Sequence, residues 1–261
     1  RARMERKEEM LRPDDGFYFG LGLFGTVAVE QGRPLFLKEH LERLTRGMKL
    51  LGIRQRDPLR ENGAAADLEH TVRKWLSGHP MERGAFKLVI TEENLILRER
   101  KHTYGPDQYS RGLKADFSQV RRNSTSPLTY LKSLNYGDCI LEKRKAREHG
   151  VDEPVFLNER GEICEGAVSN LFFVRGDGRV VTPRLECGLL PGVVRRILLE
   201  HGAARETVIR PEDLKEMKEA FLTNSLMGVM PVRELAGIAY REREVTGRIM
   251  AAYRKWAGSR T

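Results

Sequence analysis

Two hydrophobic periods alternate along the first hundred residues. Thr26-Val27-Ala28-Val29 and Pro34-Leu35-Phe36-Leu37 flank Glu30-Gln31-Gly32-Arg33, which predicts two strands joined by a tight turn. From Leu37 the period lengthens. Leu37, Leu41, Leu44, Met48 and Leu51 recur at steps of four and three, the stripe of an amphipathic helix, with Gly52 as its stop. A second helix is expected over Asp67 to Leu76. Phe86-Lys87-Leu88-Val89-Ile90 and Leu95-Ile96-Leu97 then bracket Glu92-Glu93-Asn94 as another hairpin.

The stretch from Gln119 to Pro127 is polar and ends in proline, so it is expected to connect two domains: 1–118, mixed strand and helix, and 128–261, α/β. In the second, a helix is expected from about Leu134 to Gly150. Short strands follow at Val155 to Leu157, Asn170 to Val174 and Arg179 to Thr182, and helices near Val193 to Glu200, Pro211 to Lys218 and Val245 to Trp256. The fold class is therefore mixed α/β in two domains.

Composition narrows the function. With 261 residues and 40% apolar positions the chain can bury a sizeable core. It has no apolar run of about 18 residues, so no membrane span is expected. Arg1 to Glu9 is charged, without a secretory pattern, and a cytoplasmic location is expected. Cys139, Cys164 and Cys187 have no metal-ligand spacing, so neither a disulfide framework nor a metal site is expected. The net charge of +9 suits anionic partners, but Lys38-Glu39, Glu42-Arg43 and Glu142-Lys143-Arg144 interleave the signs, which speaks against nucleic acid.

Several segments carry candidate chemistry. Gly20-Leu21-Gly22-Leu23-Phe24-Gly25 has the spacing of a dinucleotide loop, but a β-branched segment follows it rather than a helix, so the glycines read as close backbone packing. Lys132 stands among apolar and aromatic residues between a loop and a helix. Buried, its amine would lose proton affinity and suit Schiff-base formation; otherwise its stem packs and its head reaches water. Glu165 lies beside Gly166 and small residues that would admit a flat ring, or is an ordinary turn glutamate. Pro191 and Gly192 open a helix at Val193 and Val194 whose free N–H groups favour an anion. Asn224 and Ser225 follow an apolar strand, and Arg43 on the first long helix offers a charge-assisted contact; cap, turn and surface roles are the alternatives.

Taken together, Phe19-Gly20-Leu21-Gly22-Leu23-Phe24, His40-Leu41-Glu42-Arg43-Leu44, Lys132-Ser133-Leu134-Asn135-Tyr136, Glu165-Gly166-Ala167-Val168-Ser169-Asn170, Gly188-Leu189-Leu190-Pro191-Gly192 and Phe221-Leu222-Thr223-Asn224-Ser225 resemble the class IV aminotransferase family, the fold-type IV pyridoxal-phosphate enzymes, from about Asp14 to Val232. The resemblance implies pyridoxal 5'-phosphate as cofactor and a two-domain subunit, usually in a homodimer. It implies Lys132 as the Schiff-base lysine and Glu165 as partner of the pyridine nitrogen, with Arg43, Val193, Val194, Asn224 and Ser225 around the phosphate. A small-molecule amino substrate follows. Within the family, Asn224 to Val232 looks most like aminodeoxychorismate lyase. The transaminases carry a carboxylate-binding arginine on the strand corresponding to Leu88 to Glu92, which has none here; Arg98 and Arg100 are the nearest. Gly25 replaces the glutamate common at its place in the family, and Thr26 is a weaker candidate at the substrate.

Overall fold

A computed structural model describes residues 11–54 and 68–259; the charged segment Arg1 to Glu9 and the expected helix start at Asp67 lie outside the described residues. After a short helix α1 (Asp15–Phe19) the first strands are β1 (Leu23–Glu30) and β2 (Arg33–Pro34). Helices α2 (Leu37–Leu51) and α3 (Leu68–Gly78) follow, then β3 (Arg83–Ile90) and β4 (Leu95–Arg100). The strands make one antiparallel sheet in the order β2-β1-β3-β4. Strand β1 alternates as its period requires: Leu23 and Val27 turn to the core under α2, with Leu41, Leu44, Phe86 and Leu88.

The second strand is shorter than expected. Phe36 adopts φ 53°, which ends the extended backbone and turns the chain into α2, while its ring packs 5.9 Å from that of Tyr253.

Helix α4 (Pro106–Arg111) leads to β5 (Leu113–Arg122), a one-turn 3-10 helix (Pro127–Tyr130) and α5 (Gly137–Glu148). Then come β6 (Glu153–Asn158), β7 (Ile163–Gly166), β8 (Asn170–Arg175), β9 (Val180–Pro183), α6 (Val193–Glu200), β10 (Arg205–Thr207), β11 (Met217–Asn224), β12 (Gly228–Leu235), β13 (Ile238–Ala239) and α7 (Glu244–Ser259). These nine strands share one sheet whose path β8-β11-β12-β5-β6-β7 returns to β8, closing a ring. The mixed α/β, fold-type IV architecture expected from the sequence is the one found.

Three expected boundaries move. Residues 119–122, read as connection, continue β5, where Arg121 and Arg122 face Leu157 and Asn158 of β6; their polarity is that of a strand with exposed positions. Since Leu113 already belongs to the nine-stranded sheet, the chain passes between the sheets at 101–112. The helix expected from Leu134 begins at Gly137, because the segment before it is held as extended backbone against β1: Leu23 bridges Ser133, and the Leu134 N–H donates to the Gly22 carbonyl at 2.9 Å. Pro211–Glu216 is a 3-10 turn and Lys218 lies in β11, whose pairing with β8 overrides local helix propensity.

Beneath α6 and α7, Phe172 of β8 and Phe221 of β11 stack with centroids 4.9 Å apart, both fully buried. This pair supports the strand that leads to Asn224 and the helix that starts at Val193. Phe221→Ala is expected to cost about 3–5 kcal/mol, read from urea denaturation; a loss under about 1 kcal/mol would mean that the site collapses around the missing ring.

Candidate active site

The segment around Lys132 is sewn to the first sheet by its backbone. The Phe24 N–H donates to the Lys132 carbonyl at 2.8 Å, and Leu23 bridges Ser133. Glycines make the approach possible. Gly20 caps α1 at φ +70°, and a Cβ at Gly22 would stand 2.6 Å from Leu134 Cδ1. The glycine spacing is thus a packing device, and the chain past Gly25 enters β1 rather than a helix. A Cβ at Gly25 would point to Leu44 in the core, while Phe24 and Thr26 face the other way, so position 25 does not edge the site.

The Lys132 amine lies 4.5 Å from the ring centroid of Phe24 and 4.9 Å from that of Tyr136. Burial, then the nearby Arg43 charge, pull its pKa from 10.5 down to about 7, against the opposing effect of Glu165. Near neutral pH much of this lysine is a free amine, able to act as nucleophile or base.

Glu165, on β7, is more enclosed than the half-buried Lys132. Burial raises its pKa, while Arg122 Nη2 donates to Oε1 at 2.6 Å and the Leu190 N–H to Oε2 at 3.0 Å, both favouring the carboxylate. Arg122 in turn lies 4.9 Å over the Phe156 ring and donates to Cys139 Sγ at 3.2 Å.

The third part of the site suits an anion. Helix α6 begins after Gly192 with no side-chain cap, leaving first-turn N–H groups free; Asn170 Oδ1 would stand 2.1 Å from any Cβ at Gly192. Arg43 is half-buried with its Nε closed off from water, and burial pulls its pKa down to about 10. Among the described residues its guanidinium makes one hydrogen bond, Nη1 to the Pro191 carbonyl at 3.4 Å, and its Nε has no partner. A half-buried cation with no carboxylate partner among the described residues suits an anion from outside the chain.

One cavity of about 430 Å³ joins these parts, and Thr26, Arg43, Lys132, Glu165, Val193, Val194, Asn224 and Ser225 all line it. Three of them have their side chains engaged elsewhere. Val193 and Val194 bury their side chains in the core, so only their backbone N–H groups can serve a ligand. Asn224 spends its side chain on its own turn, accepting from Leu226 and Met227 N–H at 2.9 and 2.8 Å and donating to the Val168 carbonyl at 3.0 Å.

Other lining residues were not anticipated. Lys87, opposite Thr26 in the β1–β3 ladder, lies 4.8 Å from the Phe24 centroid, and burial lowers its pKa. Tyr104 and, from α5, Arg144 and Arg147 also line the cavity, whereas of the two arginines named from the sequence Arg100 lines it and Arg98 does not. A lysine inside an apolar strand was the available signal for Lys87. For Arg122 there was none, since Glu165 is 43 residues away.

A buried low-pKa lysine, an enclosed carboxylate and an anion cradle around one slot, set between two sheets, define a cofactor-dependent enzyme of the fold-type IV kind. The family model described as amino-transferase class IV matches residues 22–235, and the chain belongs to this family. It is therefore a pyridoxal-phosphate-dependent enzyme. It is 27% identical to the aminodeoxychorismate lyase of Bacillus subtilis, over 97% of this chain and 91% of that protein. A putative branched-chain-amino-acid aminotransferase of Methanocaldococcus jannaschii is 28% identical over 89% of this chain and 84% of that protein. The crystal structure of 4-amino-4-deoxychorismate lyase from Pseudomonas aeruginosa superposes with TM-score 0.80 at 28% identity, covering 95% of each chain. Among the described residues no helix is long and apolar enough to cross a membrane.

The depressed lysine has a pH signature. The unfolded chain keeps Lys132 protonated to about pH 10.4, while the folded cofactor-free protein sheds that proton at about 7. Between those values the unfolded state holds more protons, so this group's contribution to stability rises with pH. Lys132→Met is expected to stabilise the cofactor-free protein at about pH 6, with the advantage fading toward about pH 10. Equal gains at both ends of a denaturation series would contradict a buried, depressed amine.

Proposed function

We propose that the chain converts 4-amino-4-deoxychorismate to 4-aminobenzoate and pyruvate. The observation that carries this reading is charge: Arg43, Lys87, Arg100, Lys132, Lys143, Arg144 and Arg147 line the cavity against a single acidic residue, Glu165. With Arg43 turned to a cofactor phosphate and Lys143 paired to Glu153, Lys87, Arg100, Arg144 and Arg147 remain to receive a substrate bearing two carboxylates.

Pyridoxal phosphate fits the residues present: the unpartnered Arg43 Nε and the uncapped α6 start suit its phosphate, Glu165 its ring nitrogen, and Lys132 its carbonyl carbon. When bound it supplies an electron sink beside the amine-bearing carbon. Lys132 Nζ, with its pKa near 7, takes the proton from that carbon. The carbon–oxygen bond to the enolpyruvyl group breaks, and that group leaves as pyruvate after taking a proton at its terminal carbon. The ring becomes aromatic. The two products contain every atom of the substrate, so no amino acceptor is needed. Glu165, held by Arg122 and the Leu190 N–H, keeps a positive ring nitrogen favourable. Phe24 and Tyr136 keep water from the lysine.

The second reading, a branched-chain or D-amino-acid aminotransferase, draws support from the archaeal relative and from apolar lining by Leu134, Ile140, Val168 and Leu226. The assay that separates them supplies aminodeoxychorismate without any keto acid. Pyruvate and 4-aminobenzoate are expected in equal amounts, and Lys87→Met is expected to raise KM by about 10-fold or more with a smaller effect on kcat. Amino transfer from leucine or D-alanine to 2-oxoglutarate with no lyase product would overturn the proposal.

A further inference from the structure

We infer that His40 is a positioning residue: it donates from Nε2 to Ser225 Oγ and thereby leaves the Ser225 hydroxyl proton directed at a phosphate oxygen of the bound cofactor. His40 lies on α2, 1% exposed and one turn before Arg43. Its Nε2 stands 3.1 Å from Ser225 Oγ, and its Nδ1 is fully buried with no partner among the described residues. Ser225 lines the same cavity as Arg43 and the start of α6.

The tautomer follows from what each choice leaves unmade. Burial, followed by the charges of Arg43 and Lys132, holds the imidazole neutral, so it carries one N–H. With the proton on Nδ1, a donor would be buried without an acceptor, and Ser225 would have to spend its only proton on Nε2. With the proton on Nε2, the hydrogen bond to Ser225 is made and the orphan is an acceptor, the better tolerated of the two. The serine oxygen is then fixed as an acceptor toward the histidine, and its proton is free to turn into the cavity. There it joins the α6 N–H groups and Arg43 as a third kind of donor around one anion. A hydroxyl without the histidine would rotate freely and lose that direction on each visit to the Nε2 side.

This inference rests on the reading that this end of the cavity holds phosphate, and its test keeps the two apart. Cofactor-free wild type, His40→Gln, His40→Asn and Ser225→Ala are titrated with pyridoxal phosphate and with pyridoxal, following visible absorption. The glutamine amide reaches the place of Nε2 and can donate; the shorter asparagine cannot. The expected result is a preference of wild type for the phosphorylated ligand. His40→Asn and Ser225→Ala should each reduce it about tenfold, their double variant no further, and His40→Gln should restore it. Pyridoxal affinity should stay level throughout. If wild type prefers the phosphate and His40→Asn keeps the whole preference, or weakens both ligands alike, the role of His40 is refuted while the phosphate reading stands. If wild type shows no preference, both fall. Nitrogen-15 spectra of the histidines in the wild-type holoenzyme give a readout free of any substitution: His40 should carry its proton on Nε2, and a proton on Nδ1 overturns the inference.

Discussion

The site depends on one constraint, the backbone ladder that ties Lys132 to the first sheet. Phe24 N–H to Lys132 carbonyl and Leu134 N–H to Gly22 carbonyl bring a segment before α5 onto the edge of β1 at strand-pairing distance. Two consequences follow from strand alternation alone. Leu23 and Val27 go into the core with α2, and Phe24 and Thr26 go into the cavity, so the lysine rises beside the Phe24 ring. Since Gly20 and Gly22 are what allow the approach, a glycine spacing that resembles a phosphate loop serves instead to position an amine.

That position is costly for the empty protein. Arg43 and Lys132 sit in one shared space, each lowering the proton affinity of groups around it, and Glu165, the only acidic residue lining the cavity among the described residues, already engages Arg122. Such a cluster is stable only because the framework around it is over-determined: the Phe172–Phe221 stack, the closed ring of strands and the α2 core all fix the elements that carry it. With phosphate placed at Arg43 as proposed, the repulsion there is relieved, and cofactor binding adds stability as well as chemistry.

How much of this was legible in the sequence depended on whether a residue's partner was local. The Leu37 to Leu51 helix and the Val193 to Glu200 helix could be read from period and stop signals, because their stripes are built from neighbours. Lys132 and Glu165 were ambiguous as single residues and became readable through the company of other motifs. Arg122 was hidden, because its segment looked like a polar connection and its partner is on a distant strand. The Pro211 region was misjudged for a related reason: pairing of β11 with β8, not the composition of Pro211 to Lys218, decides where the strand starts. Asn224 lines the cavity, but the use of its amide in the turn before Met227 and on the Val168 carbonyl could not be read from its own segment.

The two halves of the cavity have different origins, and this bears on why relatives with different activities resemble the chain equally. The groups that fit the cofactor come from β7, the end of β11 and the start of α6, with Lys132 from the segment before α5 and Arg43 from α2. The groups left to meet the substrate, Thr26, Lys87 and Arg100, come from the four-stranded sheet, joined by Arg144 and Arg147 of α5. Changing the latter alters which carboxylates are held without disturbing the lysine, the carboxylate or the anion cradle. Identities of 27% and 28% to a lyase and to a putative aminotransferase are then what such a division produces, since whole-chain similarity counts mainly the shared framework. On the proposed reading the reaction is decided at a handful of positions, of which Lys87, Arg100, Arg144 and Arg147 are cationic.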